Sequence, residues 1–69
     1  MATICEGKNF WPELVGKSGE DAVKIIEEEN SLVTALLVPP TIPTRDFRCD
    51  RVFVYVDENG IVEYPPGIG

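Results

Sequence analysis

The stretch Ser18–Val38, SGEDAVKIIEEENSLVTALLV, changes period part-way along, and that change decides the fold. Over residues 19–29, Ala22, Val23, Ile25 and Ile26 fall on one arc of a 100° wheel, while Glu20, Asp21, Lys24, Glu27 and Glu28 fall on the other. This spacing predicts a helix over 19–29. Ser18 followed three residues later by Asp21 is a variant of the capping box, which usually carries Glu or Gln there. Glu20 and Lys24 are spaced for an i,i+4 ion pair. The run Glu27-Glu28-Glu29 is unfavourable for the helix dipole at a C-terminal end, and reads as a solvated end fraying at Asn30. From Leu32 to Val38 the chain is almost wholly apolar and rich in branched side chains, the pattern of a buried strand.

Downstream lies Pro39-Pro40-Thr41-Ile42-Pro43-Thr44-Arg45-Asp46-Phe47-Arg48-Cys49-Asp50-Arg51. Its three prolines are expected to hold the first half extended, because each fixes φ and biases its predecessor toward β or polyproline geometry. Arg51 to Asp57 then alternates, with Val52, Val54 and Val56 on one face and Arg51, Phe53 and Tyr55 on the other. The valine face should meet the helix, and the other should look toward the loop. Asn59-Gly60 signals a tight turn. Ile61–Tyr64 is expected to return as an antiparallel edge strand ended by Pro65-Pro66, with an edge from which pairing to another chain would start.

Upstream, residues 1–9 read as irregular. Pro12 suits the first position of a short helical turn, and Trp11 and Leu14 would face one way into the core. The resulting fold class is α+β, a small α/β sandwich. One helix (about 19–29) packs on a small mixed sheet with a short antiparallel edge strand and a long exposed loop (about 39–50). The connection between the two long strands is long enough for them to run parallel, and is expected at the end of the sheet, outside the core.

A chain of 69 residues is expected to be a single domain, 1–69, with a core so small that it needs a staple. Its formal charge of −6 argues against nucleic acid and anionic membrane as partners, and sets off the basic cluster at 45–51. No apolar run is long enough to span a bilayer, and no basic-then-apolar start resembles a signal peptide. Cys5 and Cys49 have neither the spacing nor the companions of a metal site, and the chain has no histidine. They read as one disulfide, the alternative being two free buried thiols. A bridge closing about 45 residues would stabilise by roughly 4 kcal/mol in the chain-entropy model.

Catalysis is poorly provided for. Without histidine the common general base is missing, and no Ser-His-Asp or Cys-His arrangement can be built. Asp46 and Asp50 sit beside arginines that would lower their pKa, the wrong direction for an acid at neutral pH. No phosphate-binding glycine loop is present, and no cofactor or metal is expected.

The loop suits a different chemistry. A stiff, exposed segment carrying one unpaired cation is shaped as a ligand. The primary pocket of a trypsin-like serine protease is a deep slot with a carboxylate at its base, which a long cationic side chain fills. Arg45 is the loop arginine with an extended approach on its N-terminal side. Thr44 and Asp46 flank it, and Arg51 is placed to donate hydrogen bonds to them from beneath. A loop so held loses little freedom on binding. If the bond is cut, the new amine stays close to the acyl-enzyme and the bond re-forms. The rival of another class is a storage or general interaction protein whose loop binds a non-protease partner.

The same residues carry a family resemblance that runs nearly end to end. The motifs are Cys5-x-Gly7-Lys8-x-x-Trp11-Pro12-Glu13-Leu14-Val15-Gly16, then Thr44-Arg45-Asp46-Phe47-Arg48-Cys49-Asp50-Arg51-Val52, and the closing Pro65-Pro66-x-Ile68-Gly69. The chain resembles the potato inhibitor I family of plant serine-protease inhibitors, specifically its one-disulfide trypsin-inhibiting members. The resemblance implies one helix against a sheet with parallel long strands and a reactive bond at Arg45–Asp46. It further implies contacts to the protease from Pro43, Thr44, Phe47 and Arg48, support of Thr44 and Asp46 by Arg51, and a Cys5–Cys49 bridge. Trypsin-like serine proteases are the implied partners of a monomer that is secreted, vacuolar or seed-stored, acting in plant defence or protease control. In two places the chain departs from the pattern. Many relatives carry a second supporting arginine where this chain has Phe53, and some carry an arginine at Gly67. Either the loop is less tightly held, or Phe53 substitutes by packing beneath it.

Overall fold

Ser18 starts the helix as its position predicts. In the computed structural model, which describes residues 5–69, its hydroxyl accepts the Asp21 amide at 3.2 Å, and α1 spans Gly19–Glu29. Before it, Pro12–Leu14 forms one 3-10 turn with Pro12 at the first position, and Trp11 and Leu14 are both buried. After it come β1 (Thr34–Val38), β2 (Arg51–Tyr55) and β3 (Gly67–Ile68). The sheet order is β1-β2-β3. β1 and β2 are parallel, with Thr34 opposite Arg51 and Val38 opposite Tyr55. β3 runs antiparallel to β2, with Val52 opposite Ile68 and Phe53 opposite Gly67.

The core lies between α1 and the sheet. Ala22 and Ile26 from α1 meet Ala35, Val52 and Val54, and Trp11, Leu14, Val33 and Val62 close its ends. The helix begins very close to the sheet. A Cβ on Gly19 would come within 2.6 Å of Val56 Cγ1 and 2.7 Å of Leu37 Cδ2, and the Gly19 amide donates to Gly60 O at 2.8 Å. Glycine is therefore what lets α1 dock at that height. The turn at 57–60 forms around Asp57, whose carboxylate accepts the amides of Asn59 and Ile61 at 2.8 and 3.0 Å. Gly60 sits at φ +78° within it, as the Asn-Gly pair anticipates.

Several expectations are corrected. The edge strand is Gly67–Ile68, not Ile61–Tyr64. The 61–64 segment does turn back, but it makes only the isolated bridges Val56–Val62 and Ser18–Ile61. Its backbone is shared between two neighbours: Glu63 N donates to Tyr55 O at 2.9 Å, while Val62 N donates to Lys17 O at 2.9 Å and Gly16 N donates to Val62 O at 3.0 Å. That segment is thus tied to the chain before α1 rather than left as an open edge.

The loop's first half is not extended throughout. It turns at Pro39-Pro40, where Thr41 N donates to Leu37 O at 3.0 Å and gives that strand-end carbonyl a partner. Nor does the connection stay at one end of the sheet. It leaves β1 at Val38 and enters β2 beside Thr34, so the parallel register makes it travel the length of the strands.

The end of α1 is not frayed. Asn30 is buried, its amide donates to Ile26 O at 2.9 Å, and two of the three glutamates have partners. Glu27 accepts the Ala35 amide at 2.9 Å, and Glu29 accepts Trp11 Nε1 and Lys8 Nζ, both at 2.9 Å. These contacts join segments distant in sequence and outweigh the dipole penalty that a local reading sees. Glu20 and Lys24 do not form an ion pair, in keeping with the small gain an exposed pair offers against side-chain entropy.

Candidate functional site: the loop between β1 and β2

From Ile42 to Arg48 every residue is exposed, and Ile42 reaches 82 %. Three sets of side-chain contacts reach this exposed segment. First, the Thr44 hydroxyl donates to the Asp46 carboxylate, spanning the Arg45–Asp46 bond from one side to the other. Second, Arg51 rises from the start of β2. Its Nη2 donates to the Asp46 carbonyl at 2.5 Å and lies 3.6 Å from the Asp46 carboxylate, while its Nε donates to Gly69 O at 2.8 Å. Third, Cys49 is joined to Cys5, with their Cα atoms 5.2 Å apart, which ties the far end of the loop to the N-terminal arm. The two-free-thiol alternative is thereby set aside.

Arg51 is itself held firmly. Its side chain is 14 % exposed, and its guanidinium lies over the Phe53 ring, 4.6 Å from the centroid. Arg51 and Phe53 share one face of β2, so strand geometry alone brings them together. Phe53 is 9 % exposed. Its ring thus packs under Arg51, the residue that bonds to Asp46. The two departures from the family pattern, Phe53 and Gly67, are opposite each other in the β2–β3 register. A Cβ on Gly67 would come within 3.3 Å of Phe10 Cδ1.

Thr44 is not bonded to Arg51, as the resemblance implied; it is linked to it only through Asp46. The guanidinium divides its donors between Asp46 and Gly69 and has none directed at Thr44. The second acceptor, Gly69, lies 18 residues away and carries no side chain to signal the contact.

The three loop arginines are used differently. Arg48 makes two bonds to the Asp50 carboxylate, at 3.0 and 3.2 Å. Arg51 is committed as described. Arg45 has no hydrogen bond or ion pair among the described residues, and it is exposed. Pro43 and Phe47, also named from the sequence, are exposed on either side of it, Phe47 with 60 % of its surface open.

The hydroxyl of Thr44, and then the Arg51 charge, hold the Asp46 carboxyl below the ordinary aspartate value of 3.8. A depressed carboxylate contributes contacts that are complete above its ordinary value and lost as pH falls through the lowered one. The contacts to the Asp46 carboxylate, from the Thr44 hydroxyl and the Arg51 charge, are therefore expected to survive down to about pH 3.8 and to be lost only below it, while the Arg51 bond to the Asp46 carbonyl does not titrate. An NMR titration of the Asp46 carboxyl should give a midpoint under that value; a midpoint at or above it would show that these contacts do not form in solution.

Elsewhere the surface offers less. An open groove of about 620 Å³ between α1 and β1 is lined by Val23, Lys24, Leu37 and Pro40 among others, and it excludes Arg45 and Asp46. Among the described residues, no three acidic, thiol or imidazole groups converge as a metal site, and no helix is long and apolar enough to cross a membrane.

Comparison with known proteins places the chain in a family. The model of the potato inhibitor I family matches residues 4–69. The "Glu S.griseus protease inhibitor" of Momordica charantia is 54 % identical over 66 residues, spanning 94 % of this chain and 97 % of its own. The "Inhibitor of trypsin and hageman factor" of Cucurbita maxima is 47 % identical over 66 residues, with 94 % and 97 % covered. Among solved structures, bitter gourd trypsin inhibitor superimposes with a TM-score of 0.89 at 50 % identity, over 97 % of this chain and 100 % of that one.

Proposed function

The chain belongs to the potato inhibitor I family of protease inhibitors, and on that premise we propose that it blocks trypsin-type serine proteases with Arg45 in their primary pocket and Arg45–Asp46 as the reactive bond. One observation carries the choice of Arg45. Of the three loop arginines, it alone has no intramolecular partner among the described residues, so its charge is available to a carboxylate outside the chain. Relatives are named for several proteases, so membership alone does not select a target. The residue entering the pocket selects it, and a cation there favours trypsin.

The loop enters the cleft as a substrate would. The protease serine attacks the Arg45 carbonyl, the carbon–nitrogen bond to Asp46 breaks, and the nitrogen leaves as an amine with the proton it receives. In an ordinary substrate that amine diffuses away and water completes the reaction. Here Arg51 holds Asp46 by its own carbonyl and carboxylate, on the leaving side of the bond. The amine stays where it left and attacks the acyl-enzyme again at high effective concentration. The inhibitor acts as a monomer, and the activity belongs to the protease, not to this chain.

Titrating trypsin with the protein is expected to remove activity stoichiometrically. Prolonged incubation is expected to convert only a fraction of the protein to a form cut at Arg45–Asp46. Rapid, complete hydrolysis without inhibition, or a cut at another bond, would refute the reading.

Arg51→Ala should leave binding measurable but hasten the cut. It removes a charge-assisted hydrogen bond to Asp46 O, an interaction of about 1.5–3 kcal/mol. Hydrolysis at Arg45–Asp46 is then expected to rise by roughly 10- to 100-fold, read by mass spectrometry over the incubation. An unchanged rate would place the support of the leaving side elsewhere.

A further inference from the structure

The disulfide restrains the loop only as firmly as its other end is held. Cys5 belongs to the arm Cys5–Asn9, which forms neither helix nor strand. A bridge to a loose arm would tether Cys49 without fixing it. Ile68 N holds the arm's far end, donating to Asn9 O at 3.1 Å, and the half next to Cys5 is held by Asn30, 4 % exposed at the end of α1. Its Nδ2 donates to Glu6 O at 3.0 Å and to Lys8 O at 2.9 Å, while its Oδ1 accepts the Leu32 amide at 3.0 Å. Both N–H groups of the amide are therefore spent on the arm, on carbonyls two residues apart.

Gly7, between those carbonyls, is shaped to this contact. It sits at φ +80°, and a Cβ there would lie 2.8 Å from Asn30 Nδ2 and 2.9 Å from Cγ. The arm thus wraps the Asn30 amide at the one residue that lacks a side chain. Next to it, Lys8 Nζ reaches Glu29 at 2.9 Å and Glu13 at 2.5 Å, on the exposed side of the same clasp.

We propose that Asn30 is a positioning residue for the reactive loop: by clasping the arm at Glu6 and Lys8, it makes the Cys5–Cys49 bridge a rigid strut that holds the loop's C-terminal half, on the leaving side of the Arg45–Asp46 bond. The proposal rests on the inhibitor reading for its consequence, but not for its geometry. The path is short: α1 ends in Asn30, Asn30 holds Glu6, Cys5 adjoins Glu6, and Cys49 lies four residues past Arg45. Arg51 and Asn30 then act on the same half of the loop from two sides, one directly and one through the bridge.

Two variants test it from opposite ends. Asn30→Asp keeps an acceptor for Leu32 and loses both donors. Gly7→Ala keeps the Asn30 side chain, meets it first at Nδ2, and pushes the arm off the amide. Each is expected to raise hydrolysis of Arg45–Asp46 by trypsin at least about fivefold, the size of one lost hydrogen bond, with Asn30→Asp, which loses two, the larger of the pair. Neither should add to the rate in a Cys5→Ser/Cys49→Ser background, where the strut is already gone. Equal increases with and without the bridge, or no increase with it, would overturn the proposal.

A second reading needs no protease. Backbone ¹⁵N order parameters at Phe47–Asp50 should fall below about 0.6 in both variants, while those of Val52 and Val54 stay near the rigid value of about 0.85. Loop values that stay put, or loop and core values that fall together, would overturn it. Should the wild-type protein fail to inhibit trypsin, the inhibitor reading falls, and the order parameters still decide whether Asn30 holds the loop.

Discussion

Arg45→Ala is expected to abolish inhibition of trypsin and to leave the fold at its wild-type stability. The two halves of this outcome have separate causes. Arg45 is exposed and makes no hydrogen bond or ion pair among the described residues, so the scaffold loses nothing when its side chain is cut back. Surface changes of that kind stay within about 0.5 kcal/mol. In the complex the same side chain would be the buried cation opposite the pocket carboxylate. Truncating such a central residue costs about 4–8 kcal/mol in the strongest cases, or a loss of affinity on the order of 10³-fold or more. A titration of trypsin beside a urea unfolding curve reads both halves. Tight binding by the variant would end the assignment of Arg45. The complementary change, Arg45→Leu or Arg45→Phe, keeps the loop and replaces the cation with an apolar group. It should move inhibition toward chymotrypsin or subtilisin.

The largest effect on stability is expected at Trp11. Its side chain is fully buried, its backbone amide donates to Pro66 O at 2.8 Å, and its indole N–H donates to Glu29 at 2.9 Å. It thereby joins the N-terminal segment, the end of α1 and the C-terminal segment. Trp11→Ala removes the largest core side chain and leaves a cavity, a change that costs about 3–5 kcal/mol. In a domain of this size, that is a large part of the whole stability. A fall in Tm of about 15–30 °C by circular dichroism is the expected reading. Trp11→Phe helps separate the contributions, because it keeps most of the volume while giving up the hydrogen bond to the Glu29 carboxylate, worth about 1.5–3 kcal/mol. If both variants lose equal stability, the indole N–H and not the volume is what matters.

Local features of this fold were legible in the sequence, and contacts between distant segments were not. Ser18 and the 100° arc locate α1 at about 19–29, because a cap and a helical stripe are written within a few positions. The alternation from Arg51 places Arg51 and Phe53 on one face, where the guanidinium lies over the ring. β3 escaped notice because two residues, one of them glycine, carry no alternating signal. Ile61–Tyr64 carries that signal, yet its backbone partners are Lys17 and Gly16 as well as Tyr55. The acidic end of α1 looked merely solvated for the same reason: Ala35, Lys8 and Trp11 come to it through the tertiary fold. At the loop, Arg45, Asp46, Thr44 and Arg51 stand within eight residues and could be read together. Gly69 and Asn30, which hold Arg51 and the arm, lie outside that window and have no motif of their own.

The Cys5–Cys49 bridge also changes what a cut at Arg45–Asp46 produces. Cys5 lies before that bond and Cys49 after it, so the two pieces remain one covalent molecule. The nicked protein differs from the intact one by a single water and cannot be diluted into halves. Re-closure on the protease then never requires two separate fragments to meet, and the nicked protein runs as one species under non-reducing conditions where reduction shows two. A reducing compartment would remove that guarantee and leave the nicked form dependent on packing alone to keep its ends together.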